Sequence, residues 1–196
     1  TGVTIAVIDT GILSSQTING TTYSQPDFPE SKIWNNAGET GQTQAGDTCW
    51  TGAARDKKSN DCDDDGNGLA DDWRGWDFMG GYRGSSAVCP NYNDTARYES
   101  SDPGFVYQDN DPQPYSCDSP SSPSTLNKNH FNGVCSAWTS ACYIGHGTMV
   151  ASVAAATGNN GQLVAGLDYN AKIMDLRAID GYGYTTTARI VAAINY

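Results

Sequence analysis

The chain has 196 residues, 38% of them hydrophobic, and a formal net charge of −11. That length supports a core, the absence of a basic stripe speaks against nucleic-acid binding, and cations are the expected partners. No apolar run approaches the roughly 18 residues of a membrane helix, so no membrane span is expected, and no charged-then-apolar leader opens the sequence.

Residues 3–8 (V-T-I-A-V-I) form a continuous, largely β-branched run that ends on Asp9. Such a run predicts a strand buried on both faces of a parallel sheet. From about residue 28 to residue 144 the character changes to turn formers and aromatics with few periodic apolar stretches, so this part reads as a looped insertion with one short strand at 75–79. All six cysteines lie in it, at positions 49, 62, 89, 117, 135 and 142. With no C-x-x-C pair and His130 isolated, Cys49, Cys62, Cys89, Cys117, Cys135 and Cys142 are expected to form three disulfides rather than a zinc site, in an oxidising, extracellular setting. Fifteen pairings remain open. The N-x-T sequences at Asn19 and Asn93 are read as chance.

Acids crowd residues 61–72, where D-C-D-D-D-G begins like a calcium loop: alternate carboxylates converge because a glycine permits a sharp turn. One frame uses Asp61, Asp63 and Asp65, a second uses Asp63, Asp65, Asn67 and Asp71, and Asp72 completes the candidate set. No glutamate occupies the twelfth position of a full EF-hand, so the prediction is an isolated calcium loop.

After residue 145 regular patterning returns. Residues 148–156 are small and helix-prone, 171–178 read as a strand, 180–183 as a glycine-rich turn, and 186–196 carry apolar residues at helical spacing behind a threonine cap. Alternating strands and helices predict an α/β architecture with a parallel sheet and helices on both faces.

In such sheets functional groups collect where strands end and helices begin. Asp9 occupies the first kind of position and His146, in G-H-G-T, the second. The positive end of a helix dipole favours a neutral imidazole and a carboxylate on the other ring nitrogen pulls the opposite way, a combination suited to a general base.

V-T-I-A-V-I-D-T-G-I and G-H-G-T-M-V-A resemble the Asp and His blocks of the subtilisin-like serine proteases, the subtilases. P-D-F at 26–28, the acidic D-D-D-G-N-G-L-A-D-D-W-R-G-W-D-F at 63–78, D-N-D-P at 109–112 and V-A-G-L-D-Y-N-A-K-I at 164–173 are similar to further blocks in the same order. The resemblance implies that Asp9 orients the imidazole and that His146 takes the proton of a nucleophilic serine. It also implies a substrate-pairing edge at Gly181, Tyr182 and Gly183, and a second calcium site at Asp27 and Asn160 with the carbonyls of Gly158, Gln162 and Val164. Departures are Met149, where the family commonly has a second histidine, and Leu167, Asp168 and Tyr169 in place of Val-Ala-Pro.

The family's Gly-Thr-Ser-Met-Ala block is absent, and Thr139-Ser140-Ala141 lacks the preceding glycine. The expectation is therefore the N-terminal part of a single catalytic domain, 1–196, of a secreted, calcium-stabilised endopeptidase acting on protein or peptide substrates. A C-terminal remainder would supply the serine, and the fragment alone would be neither stable nor active. Two other readings stay open: an inactive binding or adhesion module built on the same fold, and an aspartic protease using Asp9-Thr10-Gly11, which would need a second such aspartate.

Overall fold

The structure, a computed structural model, describes residues 2–14, 16–18, 21–23, 25–79, 112, 145–162, 164–179, 183 and 185–196. Strand β1 (Thr4–Asp9) is followed by a short antiparallel pair, β2 (Gln16–Ile18) and β3 (Thr21–Tyr23). Two 3-10 turns, Glu30–Lys32 and Lys57–Ser59, and strand β4 (Gly75–Asp77) interrupt the looped segment. Helix α1 (His146–Ala155), strand β5 (Lys172–Arg177) and helix α2 (Thr187–Asn195) complete the described elements. The strand at 3–8, the helix near 148, the strand at 171–178 and the threonine-capped helix from 186 all stand where the sequence placed them. The cap itself is Thr186, whose Oγ1 accepts the N–H of Arg189 at 3.3 Å.

Strands β1, β5 and β4 form a parallel sheet in the order β1-β5-β4. Its register aligns Asp9 with Arg177 and Arg177 with Asp77, so these three residues form one row at the carboxyl ends of the strands. Side chains alternate across a sheet, so residues in one register row share a face. Val7 and Ile173 therefore face one way and pack with Ile12, Phe28, Ala171 and the Ala151 and Ala155 of α1. Ile8, Met174, Leu176 and Trp76 face the other way, against Ala193 and Ile190 of α2 and the rings of Phe78 and Tyr196. The helices thus lie on opposite faces. Alanines on the inner side of α1, both fully buried, let its backbone come close to β1.

Outward, α1 presents Met149 and Val153, α2 presents Ile194, and the loop after α1 presents Leu167, which is 93% exposed. Gly75 opens β4 with its backbone close against β5. Its φ is +121°, and a Cβ there would lie 1.9 Å from the carbonyl oxygen of Asp175. Only glycine fits that combination of backbone angle and contact.

Among the described residues, polar contacts and a disulfide tie the looped segment to itself and to the sheet. Lys32, 9% exposed, donates to the carbonyls of Tyr169 (2.8 Å) and Ala171 (2.6 Å), tying the first 3-10 turn to the start of β5. A disulfide joins Cys49 to Cys62. Cys89, Cys117, Cys135 and Cys142 lie outside the described residues, as do the two N-x-T asparagines.

Candidate active site

Strand β1 delivers Asp9 to the carboxyl edge of the sheet, and helix α1 begins there with His146. Across 137 positions of sequence, His146 Nδ1 lies 2.8 Å from Asp9 Oδ1 and 2.9 Å from Oδ2. Asp9 is 6% exposed and also accepts the N–H of Thr10 at 2.7 Å, whereas half of the His146 side chain is open to solvent. Two carboxylate oxygens around one ring nitrogen fit an Nδ1–H donor, which leaves Nε2 as the basic nitrogen. Gly147 permits this closeness. A Cβ at that position would lie 2.5 Å from the Gly11 carbonyl oxygen and 3.1 Å from Asp9 Cβ.

The row behind Asp9 is charged and buried. Arg177 Nη1 pairs with Asp77 Oδ2, with the two residues 5% and 0% exposed. Two positions earlier on β5, Asp175 accepts the N–H of Ile12 through Oδ2 at 3.0 Å. The loop leaving Asp9 is therefore fastened to the neighbouring strand.

The acidic segment separates into two kinds of carboxylate. Glu39, Asp63 and Asp65 form the cluster, each offering an oxygen within 4.8 Å of the others. Sequence reasoning missed Glu39, because it stands outside the D-x-D-x-D-G stretch and no local signal links it to the loop. It is fully buried and accepts the N–H groups of Asp64 (2.6 Å), Asp65 (3.2 Å) and Asp71 (3.3 Å). Burial pushes its carboxyl up to about 7. Asp63 accepts three backbone N–H groups, from Gly66, Asn67 and Gly68, which gives the turn its shape.

Among the other residues of the sequence-derived set, Asp71, Asp72 and Asn67 accept hydrogen bonds within the loop. Asp71 accepts the N–H groups of Asn60 and Asp61. Asp72 accepts from Asn36, Asn67 and the Tyr196 hydroxyl, and burial holds its carboxyl above the usual range. Asn67 Oδ1 accepts the N–H of Leu69, and Asp61 stands exposed with φ +60°. Positive charge interleaves the acids: Lys57 pairs with Asp47 and Asp64, and Lys58 lies over the Trp73 ring.

Asp27, 1% exposed, meets Asn160 through an Nδ2–Oδ1 contact of 3.2 Å, and its carbonyl accepts from the N–H and hydroxyl of Thr157. Gly183 is exposed with φ +84°, while Gly181 and Tyr182 lie outside the described residues.

A family model described as the subtilase family matches residues 1–196. No curated protein and no solved structure matches the chain. The Asp–His contact at the carboxyl edge of a parallel sheet and the family match over the full length agree, and the chain belongs to the subtilase family, with the serine-protease type of function that this family carries.

Proposed function

We propose that this chain supplies the acid–base half of a secreted serine endopeptidase, with Asp9 and His146 as two members of a triad. The observation that carries the reading is the pair of 2.8 and 2.9 Å contacts between His146 Nδ1 and the buried Asp9 carboxylate. Asp9 fixes the tautomer and stabilises the imidazolium that forms. Nε2 accepts the serine Oγ proton as Oγ bonds to the substrate carbonyl carbon, then passes that proton to the departing amine as the C–N bond breaks. Water repeats the sequence on the acyl-enzyme and releases the acid. The serine and the remaining oxyanion donors come from sequence downstream of residue 196. Peptide substrate pairs along the 181–183 edge as an added strand, Gly181, Tyr182 and Gly183 flanking it.

Calcium fits the oxygen donors. Glu39, Asp63 and Asp65 offer hard carboxylate ligands, and each keeps an oxygen that accepts a single hydrogen bond, Glu39 Oε2 from Asp71, Asp63 Oδ2 from Gly68 and Asp65 Oδ1 from Asn67, with a lone pair to spare for a cation. A second ion would be held by the carboxylate of Asp27 and by Asn160, whose amide donates through Nδ2 to Asp27 Oδ1 in this geometry and would turn its oxygen to the ion. Bound there, calcium would neutralise crowded acids and stiffen the loops, without entering the proton transfers. The Cys49–Cys62 disulfide supports an oxidising, extracellular location.

The test uses the intact protein with its downstream part. A serine-directed fluorophosphonate should label it, and His146→Ala should reduce labelling and peptide hydrolysis by on the order of 10²–10⁴-fold. A folded intact protein that neither labels nor hydrolyses peptides would favour the inactive binding module instead.

A further inference from the structure

Helix α1 begins without a cap of its own. Gly145, at the N-cap position, has no side chain to receive the first-turn N–H groups, which lack partners within any helix. The N–H of Gly147 donates instead to Thr10 Oγ1 at 3.0 Å, a buried contact from 137 residues away. Gly147 is the second residue of the helix, a position normally served by the N-cap side chain. The residue that follows Asp9 therefore caps the helix that carries His146.

The reverse contact exists as well. Thr148, in the same first turn, accepts the N–H of Leu13 through Oγ1 at 2.9 Å, also buried. Between these two contacts, Thr10 N–H bonds Asp9 Oδ1 and Ile12 N–H bonds Asp175 Oδ2. The loop from Asp9 to Leu13 is thereby fastened at both ends to the first turn of α1, and at its middle to β5.

We propose that Thr10 and Thr148 are positioning residues, a reciprocal pair of buried hydroxyls that sets the Asp9–His146 hydrogen bonds. The proposal rests on the acid–base reading of that pair. His146 is half exposed, so packing around the ring does little to hold it, and its place follows from the backbone of the first helical turn. An uncapped first turn frays, which would move Nδ1 relative to both carboxylate oxygens. The two hydroxyls remove that freedom without touching substrate.

The experiment compares Thr10→Val, Thr148→Val, Thr10→Ser and Ala151→Gly in the intact protein. Ala151, buried one helical turn beyond the clasp, takes part in neither of its hydroxyl contacts and serves as a control that loosens the helix. The readouts are kcat, KM, Tm and, by proton NMR, the exchange lifetime of the deshielded His146 Nδ1 proton. Each Val variant is expected to lower kcat roughly 10-fold or more with KM changed less than about twofold, and to shorten the proton lifetime. Thr10→Ser restores the hydroxyl and recovers most of both. Ala151→Gly lowers Tm while leaving kcat and proton lifetime in place. Losses of kcat that track Tm equally in Thr10→Val and Ala151→Gly would overturn the proposal, as would an unchanged proton lifetime in both Val variants. If the unsubstituted protein shows no peptidase activity but the Val variants shorten the lifetime, the protease reading fails and the clasp stands.

Discussion

Replacing Gly147 by alanine separates site geometry from fold stability. The added Cβ would sit 2.5 Å from the Gly11 carbonyl oxygen, about 0.9 Å short of the 3.4 Å at which ordinary contact begins, and that oxygen belongs to backbone that cannot swing aside. Helix α1 and the loop after β1 must part by a similar amount. The Asp9–His146 contacts start at 2.8 and 2.9 Å, so a shift of that size carries them to or beyond about 3.5 Å, where a hydrogen bond is no longer made. Stability responds weakly, because alanine favours a helix over glycine by about 1 kcal/mol while overpacking costs about 1–3 kcal/mol. Gly147→Ala should therefore stay folded and lose on the order of 10²-fold in kcat/KM. Hydrolysis of a chromogenic peptide by the intact protein, alongside a urea melt, measures both quantities. Activity within threefold of the unsubstituted protein, in a variant whose melt is unchanged, would refute the reasoning that this close approach sets the pair.

Asp77→Ala removes the carboxylate that pairs with the buried Arg177 guanidinium and should cost about 3–5 kcal/mol in urea denaturation, whereas replacing both residues by apolar ones should recover most of that loss. In calcium-free buffer, Glu39 holds a proton in the folded state up to about 7 but releases it near 4.5 when unfolded. The native state thus binds more protons across that window, so stability should fall by up to about 3 kcal/mol as pH rises from 4.5 to 7 and level off above it. Glu39→Gln should flatten that slope in denaturation measured at successive pH values. With calcium present, chelation should lower Tm in the unsubstituted protein and less so in Asp63→Asn, in which a carboxylate of the cluster has become an amide.

Much of the scaffold was legible before any coordinates. The β-branched run before Asp9, the alanine-rich stretch after His146, the Thr186 cap and the acidic stretch at 61–72 each announce themselves within a short window, because backbone preference and capping are local physics. The family blocks pointed to Asp9 and His146 for the same reason, since each block is a local pattern.

What the residues alone left open were the pairings across long separations. Fifteen cysteine pairings were possible, and the fold joins Cys49 to Cys62. Glu39 joins Asp63 and Asp65 with no neighbouring signal to mark it, while Asp71 accepts backbone N–H groups and Asp72 accepts from Asn36, Asn67 and Tyr196. Thr10 caps a helix that starts 136 positions later, a role hinted at only by the missing cap at Gly145. The row Asp9, Arg177, Asp77 exists because β1, β5 and β4 align in one parallel register. Local propensity determines which segments become strands and helices. Which carboxylate meets which imidazole, hydroxyl or guanidinium is decided only when the sheet closes, because those contacts depend on register and on burial shared between distant parts of the chain.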